Sequence, residues 1–360
     1  MLQTRHFGDL QVTTPAPRDV WRQLAAANPS TLPSQTPEWT DAICALAGYD
    51  DASRLYETRD GRLMVLPMVG HHLPLSDARA ELSMAPTWGT GGLVLERGLP
   101  TFDDVRSVFA DLDAGEVWRT TIRPDFEQSP VWDAARPSGS IRLPSVHHVL
   151  DLHPDFERNW SGFNKMARKA IRKAEREGVT VHRDTTGASV DTFYELYEGW
   201  VARRAAERHI PLGIARYRGH RNEPRRRLDL LADLFGESFR VWIARLDGEP
   251  VAAMISLVRG DVALAWRGAS NLELAGPVRA NDLIHRYAIE DACTSGCRYY
   301  NMGESGGVES LMKFKERFGA TRRDFAGYRL ERLPFTAATS RLMKLKGFAE
   351  GALLALVGTF

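Results

Sequence analysis

The chain has little cysteine, almost no net charge and no long apolar run, and each shortage removes a class of protein. Three cysteines, Cys44, Cys293 and Cys297, in 360 residues are too few for a disulfide framework. Cys293-x-x-x-Cys297 also has no second pair to complete a zinc site, so these two read as small core residues one helical turn apart. A formal net charge of +1 excludes a chain that is basic throughout, and any contact with nucleic acid or a membrane has to come from local patches. No stretch supplies the ~18 uncharged apolar residues of a membrane span. The opening MLQTRHFGD lacks the apolar run of a secretory leader, so a cytoplasmic protein is expected. Neither a G-x-S-x-G elbow for a nucleophilic serine nor an H-E-x-x-H zinc pattern is present, and no metal site is expected.

What remains is a soluble-type composition, 43% hydrophobic and 26% charged, in a chain long enough for two ordinary domains. Two segments resemble each other. SRLYETRDGRLMVLPMVG (53–70) reads strand, Asp60-Gly61 turn, strand; FRVWIARLDGEPVAAMISLV (239–258) reads the same way around Asp247-Gly248. A further turn at 259–261 leads into VALAWRGAS. Helical spacing surrounds these hairpins at 191–206 and 281–295. Asn281 and Asp282 offer a cap and first-turn charge for the latter helix, and Gly296 a stop. Alternating strands and helices predict an α/β or α+β chain of mixed sheets flanked by helices. The proline-bearing stretch 136–156 is the candidate junction between a first domain, 1–150, and a second, 151–335. Residues 336–360 read as an amphipathic helix with Arg341, Lys344 and Lys346 ahead of an apolar end. It is expected to pack on the body, with peripheral membrane contact as the alternative.

Positive charge is concentrated in two places. In NKMARKAIRKAERE (164–177), Phe163, Met166, Ala167, Ala170, Ile171 and Ala174 are expected on one face, and Lys165, Arg168, Lys169, Arg172, Lys173 and Arg176 on the other. A second cluster, ARYRGHRNEPRRR, holds Arg216, Arg218, Arg221, Arg225, Arg226 and Arg227. Such surfaces suit phosphates of RNA, of a nucleotide-bearing donor or of an anionic lipid precursor, with arginine forking onto two oxygens and lysine acting as a point charge. A solvated helix face explains the first cluster equally well.

In GESGGVESLMKFKERFGA (303–320) a glycine-rich turn enters a short helix closed by Gly319. Leu311, Met312, Phe314 and Phe318 form an apolar arc at about 100° per residue, while Lys313, Glu316 and Arg317 point away. Lys315 falls inside the arc. Its ammonium needs an anionic partner there, unless its stem runs over apolar surface and the head reaches water.

Taken in order, QTPEWTDAI, MARKAIRKAEREGVTV and YYNMGESGGVESLMKFKERFGA resemble the FemAB-type aminoacyltransferases and their GNAT acyltransferase relatives, over roughly residues 30 to 330. The resemblance implies two tandem GNAT-like domains, with the C-terminal segment 336–360 folding back on the first. It further implies an amine attacking an activated carbonyl, either an aminoacyl-tRNA ester or an acyl thioester, with no other cofactor. Lys315, of the Phe314–Lys315 pair, matches the lysine held to stabilise the charge developing at the reacting centre. Glu304 is the candidate general base and Glu309 a weaker one; either reads equally well as a cap.

Acetyl-CoA-dependent relatives carry [QR]-x-x-G-x-[GA] to grip a pyrophosphate at a helix N-terminus. The matching stretch here, AGPVRANDLIHRYA (275–288), keeps Arg279 but none of the glycines. That departure favours charged tRNA as donor, with Lys165, Arg168, Lys169, Arg172, Arg225, Arg226 and Arg279 as phosphate contacts. The acceptor is expected to be a peptidoglycan precursor or a small-molecule amine, and no DNA partner is expected. Two alternatives stay open, an acyl-CoA or carrier-protein acyltransferase and a non-catalytic GNAT-like module binding RNA or an anionic lipid precursor.

Overall fold

The computed structural model describes residues 2–73 and 78–332, so the expected helix at 336–360 lies outside the described residues. The chain divides into two compact units. One holds the residues up to His147, Glu304–Val308 and the described residues from Arg323 on; the other holds His148–Gly303 and Glu309–Arg322. The stretch expected to be a junction contains an eleven-residue strand, Ile141–Asp151, within which the division falls.

In the first unit, the hairpin expected about Asp60-Gly61 holds. Strands Arg54–Thr58 and Leu63–Leu66 pair antiparallel, and Gly61 at φ 79° adopts the left-handed turn conformation that a side chain would resist. They join Gln3–Phe7, Leu10–Thr14 and Val94–Leu95 in a five-stranded sheet. Helix Phe102–Ala114 is closed by a capping box, Thr101 accepting from the Asp104 N–H and Asp104 from that of Thr101. Its buried face packs Phe109 edge-on against Trp132 and Tyr328, with centroids 5.1 and 6.1 Å apart.

In the second unit, strands Thr180–Asp184, Phe239–Leu246, Glu249–Arg259 and Val262–Ser270 pair antiparallel in that order, and Tyr299–Glu304 joins in parallel. Asp247 and Gly248, at φ 50° and 85°, make the tight turn that the Asp-Gly pair predicts. The central strand Glu249–Arg259 is buried along most of its length, which is why it reads as an unbroken apolar run. Helices Lys165–Arg176 and Ala280–Thr294 close one core around Phe163, Ile171, Ile284, Ile289, Tyr300 and Phe318. Each fully buried aliphatic or aromatic side chain there contributes about 2 kcal/mol. Cys293 and Cys297 are both buried, but Cys297 lies beyond the helix, which Gly296 ends at φ 78°. The N-cap is Arg279, not Asn281, because the helix starts one residue earlier than its polar signal.

Candidate active site

Lys315 is the one buried residue of helix Glu309–Glu316, 4% exposed, and its Nζ donates to the Gly303 carbonyl at 2.9 Å. The head does not reach for water. Gly303, the last residue but one of strand Tyr299–Glu304, has φ 70°, a left-handed conformation that a Cβ would disfavour. Two positions depart from the expected arc. Leu311 is exposed, sitting in the first turn before the helix meets the core. Arg317 turns inward, since regular winding stops at Glu316, and its guanidinium meets buried Asp282 at 2.5 Å. Glu309 pairs with Lys313 at 2.6 Å on the surface, which makes it a helix-surface ion and not a base.

Around Lys315 stands an aromatic shell. Phe314 is half-buried and lies 5.3 Å from the His285 ring and 5.4 Å from Phe318. His285 Nδ1 is 2.9 Å from the Tyr300 hydroxyl. Burial, then the charges of Lys315 and Arg317, push the His285 imidazole down to about 3, so it is neutral. Burial and the Lys315 charge also lower His148, against an opposing pull from Glu316. In both imidazoles burial is the larger cause and the Lys315 charge the second.

Asp282 occupies the first turn of helix Ala280–Thr294. Burial raises its carboxyl to about 6 despite Arg317 and Arg279. Arg279 itself is exposed, at φ 62°. The first turn of this helix therefore carries a buried carboxyl group paired with Arg317.

Glu304 belongs to the first unit. It ion-pairs with Arg123, accepts from Ser145 Oγ at 2.6 Å and lies 3.7 Å from His147 Nε2. Burial raises its carboxyl, but His147, Arg123 and Ser145 outweigh that and bring it down to about 2. A carboxylate so weakly basic is an ion-pair anchor, and its assignment as general base is corrected.

The basic helix runs Lys165–Arg176, capped by Asn164 Oδ1, which accepts from the Ala167 N–H at 2.9 Å. Lys165, Lys169, Arg172 and Arg176 are exposed, with Arg168 and Lys173 partly so. Arg168 Nη1 donates to the Ser161 carbonyl at 2.9 Å. Among the described residues, none of the six cations enters an ion pair within 4.0 Å. Met166 was expected inside and is 65% exposed, because at 100° steps it sits about a quarter-turn off the line through Ala167, Ala170, Ile171 and Ala174.

The second cluster is different. It forms two helices, Leu212–Asn222 and Arg225–Phe235. Arg225 pairs with Asp191 at 2.5 Å and faces Asp229, and Arg216 pairs with Glu198. Arg227 is 1% exposed, facing Glu223 and lying over the Trp266 ring at 5.0 Å. Burial, opposed by Glu223, pushes it down to about 9. Arg225 is thus paired with carboxylates of the chain, which corrects its reading as a donor contact, and Arg227 is a core residue and not part of the cationic surface. Arg226 is exposed.

Sequence reasoning missed His285, Tyr300 and the Asp282–Arg317 pair. A signal existed for the last: an acid at the third position of a helix is a first-turn charge, but its burial needs the tertiary fold.

Residues 161–316 match the family model described as an acetyltransferase (GNAT) domain. That segment of the chain is a GNAT-type acyltransferase domain. FemX is similar in fold, with a TM-score of 0.66 at 12% identity over 95% of this chain and 99% of FemX. So are L-PGS from Bacillus licheniformis, TM-score 0.50 at 13% identity over 96% and 99%, and the C-terminal domain of a putative lysylphosphatidylglycerol synthetase from Agrobacterium fabrum, TM-score 0.51 at 11% identity over 87% and 92%. No curated protein matches the sequence. Among the described residues no helix is long and apolar enough to cross a membrane.

Proposed function

We propose that the chain moves an aminoacyl group from aminoacyl-tRNA to an amine, either of a peptidoglycan precursor or of a small molecule. The amine nitrogen attacks the ester carbonyl, the bond to the terminal ribose oxygen breaks, and the proton lost by nitrogen ends on that oxygen. No covalent enzyme intermediate is needed. The observation that carries this reading is the buried Lys315 ammonium, whose charge is already felt by His285 and His148. In a low-dielectric site it opposes the negative charge that grows on the carbonyl oxygen in the transition state.

The donor assignment rests on two further observations. Helix Lys165–Arg176 offers cations that no carboxylate among the described residues neutralises, and the stretch 275–288 lacks the glycines after Arg279 with which a CoA pyrophosphate would be gripped. The lysylphosphatidylglycerol synthetases among the fold neighbours agree with aminoacyl transfer. A thioester donor is the second reading, favoured by the acetyltransferase description of residues 161–316.

The test offers labelled aminoacyl-tRNA and labelled acyl-CoA in parallel to the same pool of amines. Label moving from tRNA into an amide supports the proposal. Turnover of the thioester alone sinks it.

A further inference from the structure

We propose that helix Leu212–Asn222 is a docking face for an anionic phospholipid bilayer. The helix is attached to the second unit by one edge. Gly219 is its single buried residue, and a Cβ there would meet Val201 Cγ2 at 3.1 Å. The Tyr197 hydroxyl donates to the Gly219 carbonyl at 3.2 Å, while Arg216 and His220 reach Glu198 at 3.3 and 2.5 Å. These contacts hold the helix against Val190–Glu207 and settle which side looks outward.

The outward side carries Ile214, Tyr217, Arg218 and Arg221, spaced i, i+3, i+4 and i+7 on one stripe. Ile214 is 46% exposed and Tyr217 68%. Arg218 and Arg221 are exposed, and neither enters an ion pair among the described residues. From Arg208 to Asn222 the chain has four arginines, two histidines and no acid. Apolar and aromatic groups framed by charge of one sign require a partner that is negative at its surface and apolar just beneath.

A leaflet containing acidic lipid has that profile, with phosphates for the arginines, the glycerol level for tyrosine and acyl chains for Ile214. Nucleic acid satisfies the arginines and can stack on Tyr217, but it gives the aliphatic Ile214 side chain nothing to bury against. One helix of about three turns inserts too little apolar surface to hold a neutral membrane unaided, so attachment depends on acidic lipid. The inference stands apart from the reaction proposed above, and either can fail without the other.

The test is co-sedimentation of the full chain with phosphatidylcholine vesicles, with and without phosphatidylglycerol. Pelleting is expected only with the acidic lipid, weakening as salt is added. Ile214→Asp/Tyr217→Asp and Arg218→Glu/Arg221→Glu should each lower the apparent affinity by about tenfold or more, with the melting temperature unchanged. If a double variant melts early, Tyr217→Cys bearing an environment-sensitive fluorophore replaces it: a blue shift on acidic vesicles supports the proposal and no shift overturns it. No pelleting with acidic vesicles overturns the proposal. So does pelleting that both variants retain, which would place the contact elsewhere in the chain. Loss of binding to a short RNA in Arg218→Glu/Arg221→Glu, with vesicle binding intact, assigns the face to nucleic acid and also overturns it.

Discussion

The Nζ of Lys315 sits 2.9 Å from the carbonyl oxygen of Gly303, an ammonium held inside the second unit by main chain. If it serves the transition state, Lys315→Met, which keeps the stem and removes the charge, should lower kcat about 10²–10³-fold. Donor affinity should change little, and the melting temperature should hold or rise because a buried charge is gone. Single-turnover transfer alongside donor binding separates the two effects. An unchanged turnover would remove Lys315 from the chemistry.

The uncompensated face of helix Lys165–Arg176 gives a second expectation. Arg168→Glu/Arg172→Glu should weaken the donor without unfolding the chain, since both side chains lie on the solvent side. Each phosphate contact removed should flatten the log–log salt dependence of binding by about 0.7 to 0.9. Filter binding over a salt series reads the slope, and a large fall in melting temperature would contradict the placement.

Glu304 sets an acid limit on stability. Its carboxyl lies near 2 in the folded chain, against 4.5 for the group unperturbed. Its ion pairing therefore stabilises the fold fully above about pH 4.5 and is lost as pH falls toward 2. With a third of the side chain exposed, the contribution is about 1–2 kcal/mol. Urea midpoints at a series of pH values should show Glu304→Gln less stable than the parent near neutrality. The two should converge in acid.

Two arginines six positions or fewer from Asn222 should behave as opposites. Arg227, buried over Trp266, faces a carboxylate that also binds Arg267 at 2.5 Å; Arg227→Ala should cost about 3–5 kcal/mol. Arg218→Ala, on open surface, should stay within about 0.5 kcal/mol of the parent. Thermal melts decide it, and equal losses would refute the assignment of one to core and the other to surface.

Local signals made much of the fold legible. The Asp-Gly turns at 60–61 and 247–248 and the Asn164 cap lie close to the residues they organise, so their chemistry is written in a few adjacent positions. The inward turn of Lys315 was legible for the same reason, through helical spacing. What escaped was whatever depends on partners far along the chain. Arg225 and Arg227 look like free cations until Asp191 and Glu223 are placed beside them. Glu304 looks like a base until Arg123, 181 residues away, binds it. His285 has no motif at all, and only the fold brings it to Tyr300 and Phe314.

Gly303 has a wider consequence. Since the Lys315 ammonium donates to a peptide oxygen, the main chain at Gly303, and not only the side chains around it, fixes where this charge sits. The vulnerable spot is the glycine, whose replacement would rotate that oxygen away while leaving every polar side chain in the region intact.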